Sequence, residues 1–360
     1  MSSHINRHII VIGAGIVGAA IAYYLSKSGA RVTILGAEQA RNCATGASFA
    51  WINATVGNPE PYVALRIAAI NEWHQLEDEI GGISPSWTGS IVWEGMTSDQ
   101  LNSFIQQHQS WNYSISRIER GEISKLEPHL KTPPPFAALA DKEGVVDPLA
   151  ATDALLAAAC MQGARLATGV KVLEIMEGGG RVLGVKTEEN DIAASDIVVA
   201  AGINTGALLA PLGFGLPMDN QEGLLIHSKP LPAFIKHVLT GKDLDLRQDT
   251  FGRIIAGSSF GGTPLTEAPD RLAASLVDLV QNMLDISEPI ELDRWTIGCR
   301  PMPADGFPAV GPVPVAEGLF AAVTHSGITL APAIGKFLAH EILTGEAEPL
   351  LTLYRPQRFS

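Results

Sequence analysis

The chain has 360 residues and a mass of 38.1 kDa, enough for one large α/β domain or two intimately connected ones with a sizeable core. Apolar residues make up 46% and charged residues only 18%, which excludes a disordered or fibrous chain. Lys+Arg 25 against Asp+Glu 38 leave a net charge of −13, so nonspecific nucleic-acid binding, which needs a basic surface, is excluded as well.

No apolar run approaches the about eighteen residues of a membrane span. A polar lead without a small-residue cleavage site precedes the apolar run at His8, which reads as a strand and not as a signal peptide. Cys43, Cys160 and Cys299 are scattered, neither framing disulfides nor spaced as metal ligands. A reducing cytoplasm is the expected compartment, and no metal is expected.

In chain order, His8 to Ile12 is a short β-branched run expected as a buried parallel strand. Gly13-Ala14-Gly15 turns the chain, Ile16 to Ser28 has helical spacing with a stop at Gly29, and Arg31 to Leu35 is a second strand. Pro148 to Gln162 reads as a helix. Arg165 to Met176 and Arg181 to Thr187 flank "EGGG" and read as paired strands. "DIVVAAG", Asp196 to Gly202, is another buried strand, followed by a helix from Asn204 to about Leu212. The closing "GLFAAVTHSGITLAPAIGKFLAHEILTGE" is strand, turn and helix.

Between these pieces, stretches richer in proline, aromatics and short alternating runs such as Gly223 to Ser228 suggest a sheet-rich domain inserted twice. The expected fold class is α/β: a discontinuous Rossmann-type domain of residues 1–87, 143–215 and 293–360, with an inserted α+β substrate domain of residues 88–142 and 216–292.

The GxGxxG of Gly13, Gly15 and Gly18 assigns a dinucleotide to the first turn. Gly13 permits the tight turn, Gly15 lets backbone N–H groups approach a pyrophosphate, and Gly18 lets the helix lie on the strand. The acid that usually meets the ribose at the end of the second strand is replaced by Gly36. Glu38 is left as either a ribose contact or a solvated loop carboxylate, with backbone of Gly36 and Ala37 as the alternative.

Several ordered motifs carry a family resemblance: "ATGASFAWINA", "GVVDPLAATDALL" with "GVKVLEI", "IVVAAG", and "GCRPMPADGFPAVGP" with "HSGITLAPAIGKFLAHEILTG". Together they resemble FAD-dependent oxidoreductases of the D-amino acid oxidase superfamily, most closely the glycine oxidase, D-amino acid dehydrogenase and sarcosine oxidase-like branch. The likeness covers most of the chain and is strongest at both ends.

The resemblance implies FAD, with Ala14 and Ile16 beside the pyrophosphate and Ala44, Thr45, Phe49, Ala50 and Trp51 along the cofactor. It also implies Val172 backbone at the adenine, close approach at Gly202, and Gly327, Ile328, Thr329 and Leu330 at the flavin's pyrimidine edge. A helix start there offers N–H groups to the charge of a reduced flavin. The chain departs from the family at Gly36, where an acid is common, and at His325-Ser326, where a second glycine is common.

Arg300 occupies the position from which the glycine oxidase branch clamps a substrate carboxylate, a task suited to a planar guanidinium fork. His325 and His227 stand as pocket residues that help deprotonate an amine, or as hydrogen-bonded structural histidines. Trp51 roofs the cofactor or belongs to the core. Cys299 is either a flavin tether, as in some sarcosine oxidase relatives, or an inert thiol. Asp305 reads as a turn residue, and the runs at Glu77 and Asp243 as solvated faces.

The implied reaction is oxidation of the C–N bond of a small amino acid or N-substituted glycine by hydride transfer to the flavin. A flavin 2-hydroxy-acid dehydrogenase and an FAD-carrying subunit of a larger complex, or a homo-oligomer, remain open.

Overall fold

The structure, a computed structural model, describes residues 7–55, 58–259 and 261–360. Its first sheet has six strands in the order Ala309–Pro312, Leu319–Val323, Asp196–Val199, His8–Ile12, Arg31–Gly36 and Arg165–Thr168. All neighbours are parallel except the first pair. The central His8–Ile12 strand is apolar because the sheet is covered on both sides. One face packs on the helices Ile16–Lys27, Pro148–Met161 and Gly327–Thr344. The other meets a three-stranded sheet of Val172–Gly178, Arg181–Thr187 and Asp191–Ala193.

A second sheet has eight strands in the order Leu292–Arg300, Gln221–Ser228, Ile254–Gly257, Asp245–Gln248, Val238–Thr240, Ser90–Val92, Phe136–Ala140 and Ser116–Glu119. Strand alternation sorts its side chains by face. Leu224, Ile226, Leu239 and Leu246 lie under the helix Pro269–Met283. Leu225, Val238 and Ile255 join the core that contains Ile9, Ala20 and Leu330. The two sheets thus share one apolar core, and whatever lies between them is enclosed from both sides.

Three local expectations change. The run from Arg165 to Met176 is two strands in different sheets, because Gly169 turns at φ +75° and Val170 N–H bonds to Gly36 O at 3.2 Å. The helix after "DIVVAAG" is only Thr205–Leu209, with a 3₁₀ turn on either side. The run "DLDLRQD" is no solvated face: Asp245 and Arg247 are each 4% exposed, in a central strand. The Leu292–Arg300 strand pairs along Gln221–Ser228, although the sequence division places residues from 293 onward with the nucleotide-binding part.

Glu143 is fully buried and ties the segment after Trp51–Ile52 to the Ser90–Val92 strand. Its Oε1 accepts from Ala54 N, Thr55 N and Thr55 Oγ1 at 2.9, 2.9 and 2.8 Å and from the Tyr113 hydroxyl at 2.7 Å; its Oε2 accepts from Ser90 Oγ at 2.6 Å. Glu143→Ala strands these donors in an apolar interior. Denaturant unfolding is expected to show a loss of about 3–5 kcal/mol, and a loss below about 1 kcal/mol would remove the carboxylate from this role.

Candidate functional site

The glycine turn is shaped by its neighbours. Gly13 has φ +114°, and a Cβ there would sit 2.2 Å from Ala200 O; one on Gly18 would sit 2.0 Å from Gly13 O. Gly13 N–H bonds to Leu35 O at 2.8 Å, so the turn is pinned between adjacent strands. The Ile16–Lys27 helix starts from Gly15 with no side-chain cap and no acid in its first turn. Ile16 N–H donates to Thr45 Oγ1 at 3.2 Å, which ties the turn to the Ala44–Trp51 segment.

The second strand ends against the same turn. A Cβ on Gly36 would lie 2.8 Å from Ala14 Cβ, so a side chain here requires the turn to shift. Ala37 and Glu38 are exposed just beyond. Val170, bonded to Gly36 O, brings Val172 alongside, and Gly202, at φ +58°, follows Ala201 with no atom within 4 Å of its Cβ position. Gly36, Val172 and Gly202 therefore gather at one end of the first sheet.

The last helix starts opposite the first. Ser326 is its N-cap residue without a side-chain cap bond, and no acid stands in its first turn. A Cβ on Gly327 would lie 3.4 Å from Val17 Cγ2 and 3.9 Å from Ile16 Cγ2. Thr329 Oγ1 donates to Trp51 O at 3.1 Å and accepts from Asn53 N at 3.3 Å, joining Phe49, Ala50 and Trp51 to Ile328 and Leu330. Ala50 is held at φ +59°, and the Trp51 side chain is core.

Arg66, from the helix Glu60–Glu79, escapes a reading of motifs. It is 4% exposed, and its Nε donates to Asn53 O at 2.9 Å and Nη1 to Ser326 Oγ at 2.7 Å, while Nη2 donates to Asn53 Oδ1. Arg247 escapes it too: its Nε donates to Phe49 O, and burial lowers its pKa to about 10. The available signal for Arg66 is a charge within the apolar stripe of an amphipathic helix.

Arg300 closes the far side. Gly298 and Arg300 face the same way, and a Cβ on Gly298 would lie 2.9 Å from Ala47 Cβ, so this face looks onto the Ala44–Trp51 segment. Gln221 Oε1 accepts from Nη2 at 3.1 Å, while the buried Nε has no partner. Among the described residues no carboxylate lies within 4.0 Å of the guanidinium. Burial lowers its pKa, with Asp219 opposing. His325 lies in its field: burial, then Arg66 and Arg300, push this imidazole down to about 4. Arg66 and His325 both meet Ser326, whose Oγ accepts from Arg66 Nη1 at 2.7 Å and lies 3.2 Å from His325 Nδ1, and Arg300 is near enough for its charge to act on the imidazole.

Other candidates fall elsewhere. His227 pairs with Arg294 six residues along the strand from Gln221, about 20 Å at the ordinary strand rise, and its Nε2 meets Thr296 Oγ1 at 3.0 Å. It is a structural histidine. Cys299 alternates onto the face away from Ala47, and burial and then Glu222 raise its pKa, both contrary to a tether at that face. Asp305 does hold its turn, accepting from Phe307 N at 3.1 Å.

Burial, followed by Arg294, lowers His227 to about 4 as well. The unfolded chain protonates each histidine near its ordinary 6.5, and the folded chain takes up that proton only near 4. Protonation in this window favours the unfolded chain. Stability from these two groups is intact above about pH 6.5 and falls toward pH 4, by on the order of 3 kcal/mol for each. Unfolding free energies across pH 7 to 4 are expected to show this slope, and His227→Gln is expected to flatten part of it.

Comparison with known proteins adds the family. The model for FAD dependent oxidoreductases matches residues 8–341. Glycine oxidase of Pseudomonas aeruginosa is 26% identical over 367 residues, 96% of this chain and 97% of the relative. Glycine oxidase of Bacillus subtilis is 25% identical over 354 residues, 95% of each chain. The solved glycine oxidase of Geobacillus kaustophilus superposes with a TM-score of 0.88 at 22% identity, covering 98% of this chain and 99% of that one. The family model covers nearly the whole chain, including both sheets, the glycine turn and the two helix starts, and the chain belongs to the FAD dependent oxidoreductase family and uses FAD.

Proposed function

We propose that this enzyme oxidises the C–N bond of a small amino acid or N-substituted glycine, with Arg300 as the carboxylate clamp. The observation that carries the reading is a half-buried guanidinium with an unpartnered Nε and no carboxylate within ion-pair distance among the described residues. Such a cation calls for an anionic ligand. The named activity of the glycine oxidases to which the chain is similar supports the same class.

The residues present fit FAD. The Gly13 turn leaves no room for a Cβ, Gly202 faces open space, and two uncapped helix starts offer N–H donors. In this reading Gly13, Ala14, Gly15, Ile16 and Gly18 hold the pyrophosphate, and Gly36, Val172 and Gly202 line the adenosine end. The Thr45 and Phe49–Trp51 stretch lies along the cofactor, and Gly327 to Leu330 meet the pyrimidine edge. FAD, when bound, accepts the two electrons that leave the substrate.

The protein's part is alignment. The guanidinium fork of Arg300, steadied by Gln221, fixes the carboxylate by two charge-assisted bonds and so fixes the direction of Cα–H. Gly261 leaves space for the fork, since a Cβ there would lie 2.2 Å from Nη1. His325 is neutral at pH 7 and serves as a hydrogen-bond acceptor beside the substrate's amino group. An imidazole held at about 4 is too weak a base to keep an ammonium's proton, so that proton passes to solvent and the neutral amine goes on to the imine. Water then hydrolyses the imine to a keto acid or glyoxylate and the amine or ammonia.

Arg300→Ala is expected to keep FAD while weakening amino-acid binding by on the order of 2–4 kcal/mol, with slower flavin bleaching at saturating substrate under anaerobic conditions. Arg300→Lys is expected to recover part of both. Unchanged affinity and rate in Arg300→Ala would make the arginine structural, and turnover of hydroxy acids but not amines would replace the substrate class.

The exposed Glu38 is one contact among many along a long cofactor. Glu38→Ala is expected to weaken FAD binding by no more than about 0.5–1.5 kcal/mol, measured by titrating apoprotein with FAD. Gly15→Val, which adds bulk at the start of the helix, is expected to abolish binding; flavin retained by this variant would move the pyrophosphate elsewhere.

A further inference from the structure

The last helix contains a proline within its second turn. Pro332 has no N–H, so the carbonyl of Ile328, four residues earlier, lacks the donor that an α-helix ordinarily gives it. Trp73 supplies one from outside: its indole Nε1–H lies 3.0 Å from Ile328 O and 3.2 Å from Thr329 O, and the residue is 0% exposed. The same helix places Arg66 on Ser326 and Asn53, and Glu72 on Lys336 Nζ at 2.7 Å. One face of Glu60–Glu79 therefore backs the start of the last helix along two turns.

A peptide unit is planar and trans, so its C=O and N–H point in opposite directions. Fixing the Ile328 carbonyl on Trp73 fixes the Thr329 N–H on the far side of the same plane. That N–H lies in the first turn, where no residue of the helix accepts from it, whereas Leu330 N–H is already bonded to Ser326 O at 3.0 Å. We propose that Trp73 is a positioning residue for the flavin, supplying the donor that Pro332 withholds and so aiming the first-turn N–H groups of Gly327–Leu330 at the pyrimidine edge. The inference rests on the placement of Gly327–Leu330 proposed above.

The test uses the FAD-loaded protein and sulfite, which adds reversibly to flavin and leaves negative charge at the pyrimidine edge. Trp73→Phe keeps the ring and removes the donor. It is expected to retain FAD and to raise the sulfite Kd about tenfold, the size of one misaimed charge-assisted hydrogen bond. Pro332→Ala introduced into Trp73→Phe restores a backbone N–H opposite Ile328 O, and is expected to return the sulfite Kd to within about threefold of the parent.

A raised sulfite Kd that Pro332→Ala does not relieve would overturn the proposal, since general loosening has no reason to be rescued at residue 332. Unchanged sulfite affinity would overturn it too, and the thermal midpoint then separates two causes. A midpoint lowered in Trp73→Phe and restored by Pro332→Ala means that the bond is real but residues 327–330 do not face the flavin. A midpoint that never moves means that the indole contact is dispensable, leaving the placement itself intact.

Discussion

Two helices of this chain begin against each other, and neither start is neutralised from within. The Ile16–Lys27 and Gly327–Thr344 helices have no side-chain caps and no acid in their first turns. Their N–H groups and positive dipole ends converge where Gly327 meets Ile16 and Val17. Such an arrangement is unfavourable until acceptors are supplied at two separated points. A cofactor with a diphosphate in its middle and carbonyl oxygens at one end meets that demand, and the two sheets enclose the space between them.

The parts of this design that were legible in the sequence are local. Gly13, Gly15 and Gly18 are spaced by the geometry of one turn, and the His8–Ile12 and Arg31–Gly36 strands follow from β-branched runs of strand length. Arg300 is legible as a candidate because it sits within a motif, whereas its half-burial, its Gln221 partner and its unpaired Nε come only from the fold.

What stayed illegible depends on contacts between distant segments. No periodicity announces that Arg165–Thr168 and Val172–Gly178 enter different sheets, because the break is a glycine turn inside an otherwise continuous strand pattern. Charged runs usually face water, so Asp245 and Arg247 read as surface until the central position of their strand is known. Arg66 and Trp73 belong to a helix whose function is to hold another helix.

The close approach of Gly36 to Ala14 couples two positions of the candidate binding site. A side chain at residue 36 and a methyl group at residue 14 compete for the same space, 2.8 Å apart. An acid gained at 36 alone brings a collision before it brings a ribose contact. Glycine at residue 14 would remove the methyl group from that contact. The two positions are therefore coupled through one contact, so what a side chain at 36 does for the cofactor depends on what stands at 14.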